Sequence, residues 1–259
     1  MALSEKVSGT KDKFVEEMNS KAQKLNLKNT YFKNPHGIDE EGHYSTARDM
    51  SIMARELISH SDILNYTKRY EDYFKKKDGS QIWLVNTNKL VKFYEGMDGL
   101  KTGYTQNAGY CLTATAKRNN LRLISVVMGE ESIENRTEDT LKLMNYGFNT
   151  IKKDVLIDKN KKIDTISFDY ADKKSVDVYI KDSIIKVNNI NSDKIKYKYD
   201  LKYNKLKLPI KKGSKVGTII VKTNDNKIYK EDLIIKENVN KKSFVKIYKS
   251  ILNIISNGI

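Results

Sequence analysis

The sequence predicts an α+β domain, followed by a small all-β domain and a C-terminal amphipathic helix. Three observations support this order. Helical stripes flank a β-hairpin in residues 1–150, apolar and polar residues alternate over 151–238, and a single apolar face runs through 239–259. A chain of 259 residues is long enough for one large or two ordinary domains. We therefore expect two domains and a terminal helix with these boundaries.

Two helices are predicted near the start of the chain. The first spans residues 10–25, with Thr10 as its N-cap and Asn26, which tolerates a left-handed backbone, directly after it. The second is capped by Ser45 or Thr46, and the spacing from Thr46 to Asp49 resembles a capping box. Its apolar stripe consists of Met50, Met53, Ala54, Leu57 and Ile58.

A strand, a hairpin and a third helix complete the first domain. Residues 81–86 have the composition of a strand, and residues 107–129 predict a hairpin that turns at Asn119-Asn120. Residues 132–147 predict a helix whose inward side chains are Leu141, Met144 and Phe148.

The second domain is predicted from strict alternation over residues 153–237, which is typical of an antiparallel sheet with one solvated face. Its turns are predicted at Asn188-Asn189, Lys212-Gly213 and Asn224-Asp225-Asn226. This region shows no pattern of catalytic residues.

The last segment predicts a helix over residues 241–257 that lies in a membrane interface. Its apolar face consists of Phe244, Ile247, Tyr248, Ile251, Leu252, Ile254 and Ile255, and its polar face is basic. Lysine and asparagine interrupt the apolar run, so we expect attachment to a membrane surface and not a span. A helix packed on its own domain is the alternative.

The net charge of +15 narrows the choice of partners. Only six of the 48 basic residues are arginine, whereas the reading of bases and the bidentate binding of phosphates favour arginine. We therefore predict no nucleic-acid partner. A solvated surface or attraction to an anionic membrane or cell wall fits the charge better. The three histidines are scattered and predict no metal site or cofactor, and Cys111, the single cysteine, is predicted to be a buried structural thiol.

The segment Lys101-Thr102-Gly103 carries the strongest chemical signal. It follows a predicted turn at Gly96–Gly99 and opens a strand, where alternation places Lys101 and Gly103 on one side. The Lys101 ammonium could hold an anion, the Thr102 hydroxyl could donate to a carboxylate, and Gly103 would let a ligand approach the backbone. The N–H of Tyr104 could form half of an oxyanion hole.

The stretch "GMDGLKTGYTQNAGYCLTATAKRNNLRLISVVMGE" resembles the serine-type D-alanyl-D-alanine carboxypeptidases, the low-molecular-weight penicillin-binding proteins. The upstream segment "FVEEMNSKAQKLNLKNTYFKNPHGIDEEGHYSTARDMSIMARELI" and the downstream segment "NRTEDTLKLMNYGF" resemble the same family. Residues 153–237 resemble its β-rich C-terminal domain, and residues 240–259 its membrane anchor. The resemblance implies a partial penicillin-binding/β-lactamase-like catalytic domain in residues 1–150.

The resemblance also implies a function and a set of site residues. The family removes the terminal D-Ala of cell-wall stem peptides through a serine acyl-enzyme, and β-lactams bind the same site. Lys101, Thr102, Gly103 and Tyr104 match its substrate-binding strand, and Arg136 matches an arginine that helps to hold the terminal carboxylate. Without the resemblance, Arg136 would be interpreted as an exposed helix charge. The implied location is the outer face of the cytoplasmic membrane or the cell wall, although the start "MALSEKVSG" lacks the features of an export signal.

Two further motifs of this family are not recognisable. The pattern S-x-x-K occurs at Ser8–Lys11, Ser183–Lys186 and Ser243–Lys246, but the composition predicts about 3 chance matches. None of the three lies where the family places its nucleophile, and Ser8 and Thr10 are better interpreted as helix caps. S-x-N is absent. We therefore expect an N-terminally truncated chain that does not acylate alone.

Two other functional classes remain compatible with the sequence. The chain could be a non-catalytic protein that binds or scaffolds the cell wall or membrane. It could also be a half-domain that pairs with a separately encoded partner supplying the serine.

Overall fold

The structure is a computed structural model and describes residues 1–60 and 62–243. It divides the chain into two compact units, Met1–Ile151 and Lys152–Ile259. The first unit combines helices with antiparallel strands and the second is built from strands, as the predicted α+β class followed by a β domain requires. None of the described helices has the length and apolar character needed to cross a bilayer.

The helices of the first unit follow their local sequence signals. They are α1 (Ala2–Ser8), α2 (Lys11–Lys24), α3 (Ala47–Ser59), α4 (Ile63–Thr67), α5 (Leu90–Phe93) and α6 (Ile133–Thr150). Thr10 caps α2 by accepting a hydrogen bond from the N–H of Lys13, and Asn26 has φ 57° just beyond its end. Both predictions for this helix are confirmed.

One of the two hydrogen bonds of the predicted capping box is present at the start of α3. The Thr46 hydroxyl accepts a hydrogen bond from the N–H of Asp49 at 3.2 Å, as predicted. The Asp49 carboxylate does not bond back to Thr46. Its Oδ2 accepts bonds from the N–H of Asn29 at 2.9 Å and the hydroxyl of Thr30 at 2.8 Å. Asp49 therefore ties α3 to the preceding loop.

The strands of the first unit form two antiparallel sheets. One is the hairpin of β1 (Glu71–Lys75) and β2 (Gln81–Val85), which confirms the predicted strand at 81–86. The other has the order β3-β4-β5, formed by β3 (Met97–Thr105), β4 (Gly109–Arg118) and β5 (Leu121–Glu130). The predicted turn between β4 and β5 is confirmed, because Asn119 and Asn120 have φ 45° and 66°.

One face of the three-stranded sheet packs on α6. Leu112, Ala114 and Ala116 alternate along β4 on this face, and Met144 of α6 is buried against them with only 1% of its surface exposed. Leu141 and Phe148 pack at the border of this cluster, which confirms the predicted inward face. α3 contacts β4 and β5 of the same sheet.

The predicted turn at Gly96–Gly99 is shorter than expected. Gly96 has φ 79°, but the chain already enters β3 at Met97, and the pairing with β4 is irregular between Met97 and Gly99. The register shift between Met97 and Gly99 lets β3 pair with β4 although the strand follows directly from the turn at Gly96.

The second unit is an antiparallel β structure. Its strands are β6 (Ile151–Ile157), β7 (Asp164–Ser167), β8 (Ser175–Ile180), β9 (Ile184–Asn189), β10 (Tyr197–Tyr203), β11 (Lys215–Thr223) and β12 (Ile228–Ile235). The order is β10-β11-β12-β8-β7 in one sheet and β6-β9 in the other. Alternate residues of β8, β11 and β12 are buried, as the sequence pattern predicted.

Two of the three predicted turns in this unit are confirmed. Gly213 and Asn226 have φ 82° and 61°, and both lie between strands. The turn predicted at Asn188-Asn189 is wrong, because both residues belong to β9 and the chain turns only after them. The Asn189 side chain instead accepts a hydrogen bond from the N–H of Asn191.

The start of the predicted terminal helix is also corrected. Lys241 forms an isolated β-bridge with Ala171, and the N–H of Lys242 donates to the carbonyl of Tyr170. Residues 241–242 are therefore held by the β domain. The rest of the predicted helix, residues 244–257, lies outside the described residues.

A buried lysine anchors β9 in the second unit. Lys186 is 9% exposed, and its Nζ lies 2.9 Å from Oδ2 of Asp225. The Thr223 hydroxyl donates to the other oxygen of the same carboxylate at 2.6 Å. The Thr223 hydrogen bond, followed by that of Lys186, lowers the pKa of Asp225 from 3.8 to about 2.

We predict that Met144→Ala destabilises the first unit by about 2–5 kcal/mol, because it removes a fully buried side chain beneath β4. Urea unfolding followed by circular dichroism measures the change. Tyr146→Ala on the same helix is the matched control, since Tyr146 is 69% exposed and its loss should change the unfolding free energy by less than about 0.5 kcal/mol. Equal effects would mean that α6 does not pack as described.

We predict that Asp225→Asn removes acid-dependent stability from the second unit. The folded-state pKa lies below the unfolded value of 3.8, so the contribution of Asp225 is present above pH 3.8 and disappears as the pH falls towards about 2. The wild-type melting temperature should therefore fall more steeply over this window than that of the variant. Parallel curves would contradict the role of the Lys186–Asp225 pair.

Candidate active site

The K-T-G segment lies in the wall of an open cleft of about 640 Å³. β3, β4 and β5 form one side, and α3 with the His36-Gly37 loop forms the other. The lining residues from the sheet are Leu100, Lys101, Thr102, Gly103, Tyr104, Thr105, Ala108, Cys111, Thr113, Val126, Val127 and Met128. Met50, Met53, Ala54 and Leu57 supply an apolar wall from α3. The cleft therefore combines an apolar side with the polar edge of β3.

Strand alternation divides the K-T-G side chains between two faces, as predicted. Lys101 and Gly103 are exposed, whereas Thr102 between them is only 8% exposed. The Thr102 hydroxyl shares a hydrogen bond of 2.7 Å with the hydroxyl of Thr87. Asn88, the next residue, donates from Nδ2 to the carbonyl of Gly99 at 3.2 Å. The segment after β2 thus holds Thr102 in place.

The Lys101 ammonium is not paired with a carboxylate of the described residues. Its Nζ donates to the carbonyl of Thr102, one residue away, at 2.5 Å. An exposed ammonium that bonds only to its neighbouring backbone can turn to an anionic ligand without breaking an ion pair. The arrangement suits a cation that receives a carboxylate.

The fold requires some of the glycines around K-T-G and not others. A Cβ on Gly96 would lie 2.4 Å from the carbonyl oxygen of Lys117, and one on Gly99 would lie 2.7 Å from the Thr67 hydroxyl. A Cβ on Gly103 would meet nothing closer than Cys111 at 4.0 Å, and the φ of Gly103 is not in the left-handed region. Internal packing therefore does not explain the glycine at 103, and the position leaves open space beside the strand.

The start of β3 is clamped by side chains from other elements. Arg122 of β5 binds the Asp98 carboxylate through two bonds of 2.7 Å each. The Thr67 hydroxyl donates to the carbonyl of Asp98 at 2.6 Å. Further along the strand, Tyr104 is exposed and its ring lies 4.3 Å from that of Tyr110. β3 is therefore fixed at both ends of the K-T-G segment.

Arg136 is buried, so its interpretation as an exposed helix charge is wrong. It lies in the first turn of α6, is 6% exposed, and its Nε has no hydrogen-bond partner among the described residues. Burial lowers the pKa of its guanidinium, and the nearby Cys111, Glu134 and Tyr110 oppose this shift. Arg136 does not itself line the cleft, although Cys111 does. The cleft lining therefore includes four of the five predicted residues, and Arg136 is not among them.

The described S-x-x-K patterns do not form serine–lysine pairs. The Ser8 hydroxyl donates to Glu17 at 2.8 Å, and no hydrogen bond joins it to Lys11. The Ser183 hydroxyl accepts from the N–H of Lys159, while Lys186 binds Asp225. The third pattern ends at Lys246, outside the described residues. Ser8 is also the last residue of α1, so its predicted capping role is wrong.

Sequence reasoning missed two contributors to the site. Cys111 is half-buried and lines the cleft opposite Gly103, whereas a buried structural thiol was expected. Thr87 forms a hydrogen bond with Thr102 although 15 positions separate them, and no local sequence pattern predicts such a contact. The apolar wall, in contrast, was visible as the helical stripe of α3.

Two family models match the chain. A model of the D-alanyl-D-alanine carboxypeptidases covers residues 1–132, and a model of the C-terminal domain of penicillin-binding protein 5 covers residues 152–241. The first match includes α3 and the whole β3-β4-β5 sheet. The second begins one residue after Ile151, where the first compact unit ends.

Individual proteins show the same similarity. The chain is 38% identical over 250 residues to D-alanyl-D-alanine carboxypeptidase DacF of Bacillus subtilis, covering 96% of this chain and 64% of that one. It is 34% identical to DacC of Escherichia coli, covering 94% and 60%. The structure of penicillin-binding protein 5 from Haemophilus influenzae superimposes with a TM-score of 0.65 at 32% identity, covering 93% and 70%. The chain thus spans less than two thirds of the length of these curated relatives.

We predict that the two glycines respond oppositely to alanine. Gly99→Ala should lower the melting temperature, because its Cβ would collide with Thr67. Gly103→Ala should leave it unchanged, because the nearest atom, Cβ of Cys111, would lie 4.0 Å from the new methyl group and would not collide with it. Differential scanning fluorimetry of both variants measures the contrast. A marked loss of stability in Gly103→Ala would show that the fold, and not a ligand, requires this glycine.

Proposed function

The chain belongs to the D-alanyl-D-alanine carboxypeptidase family, and we propose that its first unit binds the D-Ala-D-Ala end of peptidoglycan stem peptides along β3. Members of this family are penicillin-binding proteins that act on the cell wall, so the cell wall is the proposed place of action. One observation carries the proposal: Gly103, beside the unpaired Lys101 ammonium, leaves a gap in the cleft wall that internal packing does not require.

An extended peptide fits this wall for physical reasons. β3 pairs with β4 and with no other described strand, so its outer edge offers backbone groups to a ligand strand. Gly103 would let the ligand backbone approach closely, and the apolar wall from α3 would cover the alanine methyl groups. The N–H of Tyr104 is the proposed oxyanion donor, because it directly follows the gap.

Two cations are proposed to receive the terminal carboxylate. Lys101 reaches the cleft directly, with the Thr102 hydroxyl held nearby by Thr87. Arg136 is buried near Cys111 with an unsatisfied Nε–H, which is costly unless a ligand or a rearrangement uses it. A carboxylate bound near Arg136 would offset part of the cost of burying this guanidinium.

We further propose that this chain binds the peptide without forming an acyl-enzyme by itself. Ser8 is bonded to Glu17 and Ser183 to the backbone of Lys159, so neither is poised beside a general base of the S-x-x-K type. Acylation would then need a serine that is not supplied by residues 1–243. A role in binding the cell wall without catalysis is the alternative that the same experiments address.

We predict that a peptide ending in D-Ala-D-Ala shifts the amide resonances of Lys101 to Tyr104 in heteronuclear NMR spectra, because it pairs with the edge of β3. The same peptide ending in L-Ala-L-Ala is the control and should shift them less. Fluorescent penicillin should leave no covalent label on the chain, while a complete family member is labelled in parallel. Labelling that Ser8→Ala abolishes would overturn the proposal that this chain does not acylate.

We predict that Arg136→Gln weakens binding of the D-Ala-D-Ala peptide by about tenfold while the melting temperature stays equal or rises. A lost charge-assisted bond weakens binding by roughly 1.4 kcal/mol or more, whereas removing a buried, incompletely bonded guanidinium relieves a cost of burial. Arg48→Gln, an exposed arginine on α3, removes the same charge and should change neither quantity. A large drop in melting temperature would indicate a purely structural Arg136.

A further inference from the structure

The positive charge of the chain is concentrated in its second unit. Residues 152–243 contain 24 Lys, no Arg and 13 Asp or Glu, so they carry a net +11 of the total +15. The first 151 residues carry only +2, with 22 basic and 20 acidic residues. The charge is therefore a property of the β unit, and its distribution on that unit bears on what it binds.

Four of the 13 acidic residues of this unit form ion pairs in the described structure. The described pairs are Lys162–Asp177, Lys173–Glu237, Lys186–Asp225, Lys215–Asp232 and Lys227–Asp225. None of these lysines belongs to β10, and Lys222 near the end of β11 is in none of these pairs. The lysines of β10 and Lys222 therefore have no described carboxylate partner.

Four lysines lie on one exposed face of the five-stranded sheet, which we call the lysine face: Lys198 and Lys202 of β10, Lys222 of β11 and Lys230 of β12. The register sets Lys198 opposite Lys222, and it sets Asp200 and Ile220 in the row that contains Lys230. All four are exposed, and none is in an ion pair with a described carboxylate. Asp200 and Asp232 lie on the same face, so these six side chains carry a net charge of +2.

The pair Lys198–Lys222 is unfavourable for folding. Residues directly opposite on antiparallel strands have Cβ atoms about 5 Å apart, and like charges at this distance repel each other. Other lysines of the unit, such as Lys162 and Lys215, are paired with acidic residues, whereas Lys198 and Lys222 face each other. A repulsive pair on a flat, exposed face is better explained by a ligand that supplies the missing negative charge.

We propose that the lysine face binds a linear polymer that carries repeated phosphate groups and no nucleobases. Lysine ammonium groups act as flexible point charges and do not impose the planar bidentate geometry of arginine, which suits a repeating anion of variable conformation. Lys198 and Lys202 are four residues apart, roughly 13 Å along the strand. Lys222 and Lys230 lie on the neighbouring strands. An extended polymer could therefore contact ammonium groups both along β10 and across the sheet.

The lysine face fits a phosphate polymer without nucleobases better than it fits an anionic membrane or a single-stranded nucleic acid. Membrane-interface surfaces anchor through tryptophan, phenylalanine or leucine, and the exposed large apolar residue in these rows is a single isoleucine, Ile228. Single-stranded nucleic acids bind through aromatic stacking beside basic residues, and no aromatic side chain shares the rows of the four lysines. Both alternatives are outcomes of the test below.

The test measures fluorescence anisotropy of end-labelled inorganic polyphosphate with the full chain at about 50 mM and about 200 mM NaCl. Lys198→Gln with Lys222→Gln should weaken binding by about tenfold and lower the salt slope by about 1.4, as expected for two lost phosphate contacts. Lys161→Gln with Lys174→Gln is the matched control, because both are exposed lysines of the same unit outside the lysine face. The control should change the affinity by less than about twofold.

The pattern of losses decides the proposal. Lys198→Arg with Lys222→Arg should retain binding, since the charges remain, and circular dichroism should show the same β content in every variant. Equal weakening in the two glutamine variants would assign binding to net charge and overturn the lysine face. Vesicles of phosphatidylglycerol and phosphatidylcholine in equal amounts, or a single-stranded oligonucleotide, should compete poorly with polyphosphate. Tighter binding of either one would overturn a phosphate polymer without nucleobases as the partner.

Discussion

Strand β4 pairs with β3 on one side and with β5 on the other, and this double pairing determines which side chains reach the cleft. Burial of Leu112, Ala114 and Ala116 against α6 sets the face of β4 that points inward. The register with β3 then places Thr102 inward, and Lys101 and Gly103 outward. A slip of one residue would exchange these faces, so the chemistry of the cleft depends on the packing beneath β4.

The site combines positions that the fold requires with positions that it leaves free. Gly96 and Gly99 are required because neighbouring atoms occupy the space of a side chain. Gly103 and the Lys101 ammonium have no such internal partners among the described residues. Arg136 is a third case, since it is buried with one donor unsatisfied. Open space at Gly103 and donors without internal partners on Lys101 and Arg136 are the physical basis for proposing that these residues bind a ligand.

The two units handle charge differently. In the first, acids and bases nearly balance, and Arg122 and Asp98 form a bidentate pair that fixes the start of β3. In the second, lysines exceed acids almost twofold, and the buried Lys186 is paired with the exposed Asp225 while the lysine face has no described ion pair. Charge therefore has a positioning role in both units, and the second unit also carries an excess of positive charge.

The amino-acid sequence by itself determined the elements whose causes are local. The caps at Thr10 and Thr46, the left-handed Asn26 and the turn at Asn119-Asn120 depend on residues within a few positions of one another. The alternation of β3 was equally readable, and so was the family resemblance of the segments around it. These features need only short-range backbone geometry and the contrast between apolar and polar side chains.

Only the tertiary structure decided the contacts between residues far apart in the chain. Thr102 meets Thr87, Asp49 binds Asn29 and Thr30 instead of completing its capping box, and Arg136 is buried. Ser8 looked like a helix cap and Ser183 like part of a motif, but each is bonded to a group at least nine residues away. Local propensity does not encode such partners, because they form only when the packing of helices on sheets brings distant segments together.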